Sequence, residues 1–201
     1  MGKINFCGDS FCRKGGYGVL RHSELAWTTL LAEKLRHSII GLGKAGSAHE
    51  HAIKSFNPTA DINVFCWTEP HRLYHDSYPI SMGTAEANKD INVVYDAAYK
   101  YYKYLHSQTL ALKRYERDLY WFDQAILKHY TGLAIHLVSF SWVYEFEHGL
   151  EFSTPLNDLR TNPYKKSKDE IANHLNKRQN QFLADELYTL ILDAKNNKRI
   201  S

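Results

Sequence analysis

The chain has 201 residues, 44% of them hydrophobic and 23% charged, with a formal net charge of +3. Those proportions are ordinary for a globular domain with one buried core. No run of about 18 apolar residues is present to form a membrane-spanning helix, and no basic stripe of the kind nucleic acid requires accompanies the small charge.

Met1-Gly2-Lys3 leads directly into Ile4-Asn5-Phe6-Cys7, a strand-like run and not the apolar segment of a signal peptide. The three cysteines cannot all pair with one another. Cys7 and Cys66 sit in apolar runs and read as core thiols, and Cys12 reads as the more accessible one. A reducing, cytoplasmic compartment is the expectation.

Residues 3–7 form a short apolar run that stops at Gly8-Asp9-Ser10, a first strand followed by a turn. Residues 13–21 hold three glycines and read as loop. Trp27, Leu30, Leu31 and Leu35 then share one helical face. Residues 37–42 are a second strand, Gly43-Lys44-Ala45-Gly46 a turn, and a short helix reaches about Phe56 before Pro58. Residues 62–67 are a buried strand closed by Pro70. Between Thr84 and Thr131 there is neither glycine nor proline. Apolar and aromatic residues, with Gln108 as the one polar member, recur there in steps of four and three from Val94 to Ile126. That spacing predicts one long helix, or two broken near Ser107. Unbroken, it would run roughly 50 Å at about 1.5 Å per residue, too long for a small domain. It should therefore fold back as a hairpin or project and pair with a second copy through Tyr101, Leu112, Tyr115 and Leu119. Residues 133–140 are a further strand, and 141–164 read as loop. Asn176 and Gln179 have the spacing of a capping box, opening a last helix that buries Phe182, Leu183, Leu187, Leu190 and Ile191. Strands alternating with helices predict a three-layer α/β/α sandwich around a parallel sheet of about five strands, with a helical insertion near 86–130.

A strand ending in a glycine turn puts Ser10 at the carboxyl edge of a parallel sheet, where open α/β folds bind ligands. At the other end of the chain, Asn173-His174-Leu175 precedes the last helix, so His174 can project over that edge and act as a general base. Asp169 and Glu170 are the nearby carboxylates able to orient it.

Taken together, Ile4-Asn5-Phe6-Cys7-Gly8-Asp9-Ser10-Phe11 resembles the first block of the SGNH (GDSL-like) hydrolases, and residues 40–47, Ile40-Gly41-Leu42-Gly43-Lys44-Ala45-Gly46-Ser47, resemble the second. Ala172-Asn173-His174-Leu175 with the following helix is similar to the last. The resemblance implies a flavodoxin-like sheet and a carboxylic ester hydrolase. In it Ser10 is nucleophile, His174 base, and Asp169 the acid, with Glu170 as the fallback. The N–H groups of Ser10 and Gly46 bind the oxyanion, and no cofactor is needed. It implies a small-molecule or carbohydrate ester as substrate, with Asp9, His49 and Arg72 near it. Two departures stand out. The family's oxyanion-hole asparagine is absent from Trp67-Thr68-Glu69-Pro70, leaving Thr68 or a protonated Glu69 as donor unless Glu69 pairs with Arg72. The place three residues before His174 is Ile171, not an acid. Two rival readings follow: a weak or inactive binding protein on the same scaffold, and a metal-dependent hydrolase built on His49, His51, His71 and His75.

Overall fold

In the computed structural model, residues 1–13, 25–141, 144–160, 171–172 and 174–197 are described. The first strand, β1 (Gly2–Gly8), is buried from Ile4 onward, as a strand covered on both faces must be. It lies between β2 (His37–Gly41) and β3 (Ile62–Trp67). β3 in turn pairs with β4 (Leu133–Val138), and β4 with β5 (Leu150–Glu151). The order is β2-β1-β3-β4-β5 and every pairing is parallel. Four strands fall where the apolar runs put them. The fifth has only two residues and lies inside the stretch read as loop.

Alternate side chains of each strand feed two separate cores, because successive residues point to opposite faces. Ile4, Phe6, Ile62, Val64, Ile135 and Leu137 face α1 (Trp27–Leu35) and α6 (Lys177–Asn197). Cys7, Phe65, Trp67 and Val138 face α2 (His49–Lys54) and a helix of the insertion, through Ala52, Tyr115, Leu119 and Phe122. Phe65 stacks on Trp67 with ring centroids 5.2 Å apart, and Phe122 stands edge-on to both. Truncating such a ring costs about 3–5 kcal/mol. The expected three layers are therefore present.

The insertion consists of α3 (Met82–Asn88), α4 (Val93–Tyr104) and α5 (Gln108–Ala125). The break near Ser107 is real: its hydroxyl accepts from the Leu110 N–H at 3.3 Å and starts α5. A second break was not anticipated; Asn92 accepts from the Val94 N–H at 2.8 Å and starts α4. The single hairpin expected at Ser107 is replaced by an α3–α4 pair packed around Ala85 and Ala98. Tyr115 and Leu119 are spent on the chain's own core, so the seam proposed for pairing two copies through them is already filled. No helix among the described residues is long and apolar enough to cross a membrane.

Candidate active site

The site starts at the end of β1. Gly8 has φ +144°, and a Cβ there would lie 2.3 Å from the Cys66 carbonyl oxygen, so only glycine lets the chain leave the sheet against β3. The Asp9 carboxylate then accepts from the Phe11 N–H at 2.9 Å and caps a single 3-10 turn, Ser10–Cys12. Phe11 and Cys12 point inward and are buried, while Ser10 stays partly exposed at the sheet edge. Cys12 is thus not the accessible thiol expected of it; all three cysteines are free and buried.

The loop after β2 is tied to this turn. Gly43 N–H donates to the Cys12 carbonyl at 3.1 Å and Lys44 N–H to the Gly8 carbonyl at 2.9 Å. The Ser47 hydroxyl donates to the same Gly8 oxygen at 2.9 Å. Ser47 N–H closes a turn on the Lys44 carbonyl with Gly46 at its third place, φ +70°, where glycine is favoured. A Cβ on Gly46 would also meet Pro79 Cβ at 2.4 Å. Among the described residues the N–H groups of Ser10 and Gly46 have no acceptor.

His174 arrives on a hairpin that the loop-like sequence did not suggest. β6 (Ile171–Ala172) pairs antiparallel with β7 (Leu175–Asn176), with Ala172 opposite Leu175, and His174 lies in the tight turn between them. Such turns require positive φ, and His174 has φ +70°. The capping box forms as read: Asn176 N–H donates to Gln179 Oε1 at 2.8 Å, and Gln179 N–H to Asn176 Oδ1 at 2.9 Å. These constraints bring His174 Nε2 to 2.9 Å from Ser10 Oγ, across 164 positions of sequence. The imidazole also lies against the Phe11 ring, centroids 5.1 Å apart. Burial and the positive charge of Arg160 hold its pKa below the ordinary 6.5; Asp9 opposes this and Arg72 adds to it. The neutral form, the one able to take a proton, is therefore favoured. Asp169 and Glu170 lie outside the described residues.

Two residues to which the sequence reading assigned no role at the site, Trp27 and Asn180, hold the serine and histidine turns together. Trp27 Nε1–H donates to the Phe11 carbonyl at 2.7 Å, and Trp27 N–H donates to Asn180 Oδ1 at 2.8 Å. Asn180 Nδ2 donates to the Leu175 and Asn176 carbonyls at 2.9 and 3.1 Å. An asparagine with no exposure inside an amphipathic helix is the signal that could have exposed this link.

Beneath Ser10 lies a charged floor. Asp9 is fully buried, which raises its pKa; the Arg72 guanidinium, 3.8 Å away, and the Phe11 N–H lower it. The Thr68 and Ser139 hydroxyls face the same carboxylate and are buried, without close hydrogen bonds to described residues. Arg72 donates from Nε and Nη2 to Glu69 Oε1 at 3.1 and 3.0 Å, and from Nη1 to the Ser47 carbonyl at 3.4 Å. Glu69 is therefore held by Arg72, the pairing the sequence left as an alternative to an oxyanion role. Asp9 and Arg72 build the floor of the site and do not present free groups to a substrate.

His49 is 1% exposed, stacked edge-on against Tyr115 at 4.6 Å, with Nε2 3.1 Å from Asp118 Oδ2. Burial removes it from the rim expected for it. The four histidines of the metal reading do not converge. His51 bonds Ser55, His71 lies against His106, and His75 accepts from the Ser77 and Tyr78 N–H groups. Among the described residues only His49, Glu50 and Asp118 are grouped closely enough to share an ion. Arg114 and Arg117, 3.7 and 2.8 Å from those carboxylates, already balance them.

No family model matches the chain, and no curated protein matches its sequence. Solved structures do match. A candidate arylesterase from Agrobacterium tumefaciens str. C58 superposes with a TM-score of 0.50 at 10% identity, over 96% of this chain and 99% of that one. A family two carbohydrate esterase from Clostridium thermocellum, solved with cellohexaose, gives 0.48 at 10% identity over 97% of this chain. The match spans 65% of that esterase's length. A candidate lipolytic protein of the G-D-S-L family from Desulfitobacterium hafniense DCB-2 gives 0.44 at 12% identity, covering 94% and 99% of the two chains. At such identities the likeness is one of fold: the chain shares the three-layer α/β fold of the arylesterase.

Proposed function

We propose that the protein hydrolyses carboxylic esters through an acyl-enzyme on Ser10. The observation that carries this reading is the 2.9 Å contact between His174 Nε2 and Ser10 Oγ, with the imidazole biased toward its neutral form. Nucleophile and base within hydrogen-bond reach at an open sheet edge are what acyl transfer needs.

His174 takes the hydroxyl proton as Ser10 Oγ attacks the ester carbonyl carbon. The carbonyl oxygen becomes an oxyanion, received by the N–H groups of Ser10 and Gly46. The carbon–oxygen bond to the alcohol breaks, and the alcohol leaves with the proton from His174. Water then attacks the acyl group, giving its proton to His174, which returns it to Ser10 Oγ as the carboxylic acid departs. Asp169 is the proposed orienting acid, from its place five residues before His174. Glu69 is engaged by Arg72 and the Thr68 hydroxyl faces Asp9, so the hole relies on main-chain donors. Each missing donor lowers turnover by roughly a factor of 100–1,000, so a slow enzyme is expected. The substrate proposed is a small acyl group on a carbohydrate or a short-chain alcohol, suited to the open edge, and the compartment proposed is the cytoplasm.

Reaction with a fluorophosphonate tests the reading. Labelling that maps to Ser10 and disappears in Ser10→Ala is the expected result. An unlabelled wild-type protein, folded and stable, would instead favour a binding protein on a hydrolase scaffold, the reading to which the absent oxyanion asparagine lends weight.

A further inference from the structure

We propose that Arg160 anchors an anionic group, a carboxylate, sulfate or phosphate, carried by the ester that Ser10 cleaves. This rests on the serine-hydrolase reading and adds a substrate class to it.

The placement of Arg160 follows from the main chain. Leu156 N–H donates to the Val138 carbonyl and Asn157 N–H to the Ser139 carbonyl, both at 2.9 Å. These bonds carry the chain past the end of β4 along the edge that holds Ser10. Arg160 N–H then bonds the Asn157 carbonyl at 3.2 Å and turns the segment. Among the described residues its guanidinium makes one side-chain hydrogen bond, from Nη1 to the neutral Asn157 Oδ1 at 3.1 Å. No carboxylate among the described residues pairs with it, and the residue is partly exposed.

The other arginine at the site makes the contrast. Arg72 is spent on Glu69, Asp9 and Ser47, with a side chain only 11% exposed. Arg160 keeps Nε and Nη2 without a described acceptor, and those two nitrogens are the parallel donors that grip a carboxylate or phosphate bidentately. It acts on the imidazole more strongly than Asp9 does, although Asp9 adjoins the nucleophile. A cation so placed, with no carboxylate partner among the described residues, is a liability for a general base, because it makes the imidazole less basic and disfavours the imidazolium formed in the reaction. For a neutral ester it brings no compensating contact. For an ester bearing a negative charge it supplies a charge-assisted hydrogen bond, and the bound anion offsets its effect on His174.

Two matched ester pairs decide it: 4-acetoxybenzoate with its methyl ester, and mono-4-nitrophenyl succinate with 4-nitrophenyl butyrate. They place the carboxylate on the alcohol side and the acyl side respectively. Rates are compared at about pH 8, where the imidazole is neutral with or without Arg160. The expected result is that Arg160→Gln lowers the charged-to-neutral ratio of kcat/KM by about tenfold or more in one pair. The change should appear in KM, and Arg160→Lys should keep part of the preference. An unchanged ratio in both pairs overturns the proposal. Benzoate binding gives a readout independent of turnover. A saturable shift of the His174 ring resonances in the wild type, lost in Arg160→Gln, supports the anchor even if no ester is cleaved, an outcome that sinks the hydrolase reading alone. No saturable shift, or one that persists in Arg160→Gln, overturns the anchor and leaves the hydrolase reading standing.

Discussion

Asn180 Oδ1 accepts the Trp27 N–H at 2.8 Å, and through this bond the start of α1 and the start of α6 share one buried amide. On one side Trp27 Nε1–H reaches the carbonyl of Phe11, next to Ser10; on the other Asn180 Nδ2 reaches the carbonyl of Leu175, next to His174. Asn180→Leu should strand the Trp27 N–H in the core and free the His174 hairpin. An unsatisfied buried donor costs about 1–3 kcal/mol, to be read as a lower denaturation midpoint at unchanged m-value. Esterase kcat should fall more than KM rises, because a misplaced base acts on the chemical step. Asn180→Asp keeps the acceptor for Trp27 but turns a buried carboxylate oxygen on the Leu175 and Asn176 carbonyls, so it should lose stability as well while keeping more of kcat than Asn180→Leu. Equal losses of kcat in the two variants would show that the Trp27 bond positions nothing.

The nucleophile is the simplest test. Ser10→Ala should abolish hydrolysis of a short p-nitrophenyl ester, a loss on the order of a million-fold where serine and histidine act as a unit. The hydroxyl is partly exposed and its bond is to His174, so far-UV circular dichroism should be unchanged. Retention of most activity would place the nucleophile elsewhere.

The pH profile follows from the imidazole. A base works only when deprotonated, so kcat/KM should rise with pH through the pKa of His174 in the free enzyme. That pKa lies below 6.5, because burial and Arg160 disfavour the cation more than Asp9 favours it. The midpoint of the acidic limb should therefore fall under 6.5. Removing Arg160 should move it upward, since one source of depression is lost. A midpoint well above 6.5 on the wild type would contradict the charges assigned around His174.

Much of this arrangement was legible in the sequence, and the exceptions have physical causes. β1, β3 and β4 announce themselves as continuous apolar runs because both of their faces are covered, and β2, at the sheet edge, by its position between a helix and a glycine turn. β5, β6 and β7 have two residues each, too few for any hydrophobic period to register. The break at Ser107 was expected, but the one at Asn92 was not: it carries a capping residue too, yet it lies just before the four-three rhythm begins at Val94, so the rhythm says nothing of it. Ser10 and His174 were readable because their flanking blocks match a known pattern. Asn180 and Trp27 were not, because each looks like one more member of a helix until its hydrogen bonds are seen. His49 and Arg72 were placed near a substrate by proximity in sequence to the loops that form the site. Their side chains turn instead to Asp118 and Glu69.

Gly46 is a further point where sequence identity is dictated by geometry. At φ +70° and with Pro79 Cβ 2.4 Å from the position of an added Cβ, Gly46→Ala must both strain the backbone and push the Pro79 segment away. The backbone conformation alone costs roughly 1–2 kcal/mol. Its effect on activity should exceed its effect on stability, because the displaced N–H is one of the two proposed oxyanion donors, and such a donor carries about 3–4 kcal/mol of transition-state stabilisation. Steady-state kinetics set beside urea denaturation compare the two. A variant that is destabilised but fully active would remove Gly46 from the oxyanion hole.

The last prediction concerns Glu69, which lies in Trp67-Thr68-Glu69-Pro70, the stretch where the resemblance to SGNH hydrolases would place an asparagine donating to the oxyanion. From sequence alone, Glu69→Asn looks like a repair that should raise turnover. The geometry reverses the expectation. Glu69 Oε1 accepts both Arg72 Nε and Nη2, and Arg72 is the cation that offsets the burial of Asp9. Asparagine is one methylene shorter and uncharged, so both bonds to Oε1 are lost and the guanidinium is left without its fixed partner. Glu69 is substantially exposed, with 42% of its side chain accessible, so the ion pair itself contributes only about 0–1 kcal/mol. The larger consequence is positional, because Arg72 is free to swing from Asp9 and unsettle the turn that carries Ser10. Glu69→Asn should leave stability nearly unchanged and lower kcat, while Glu69→Gln, which keeps the length and one acceptor, should lower it less. A rise in kcat for Glu69→Asn would mean that the asparagine reaches the oxyanion after all, and that the Glu69–Arg72 pair is dispensable to the floor of the site.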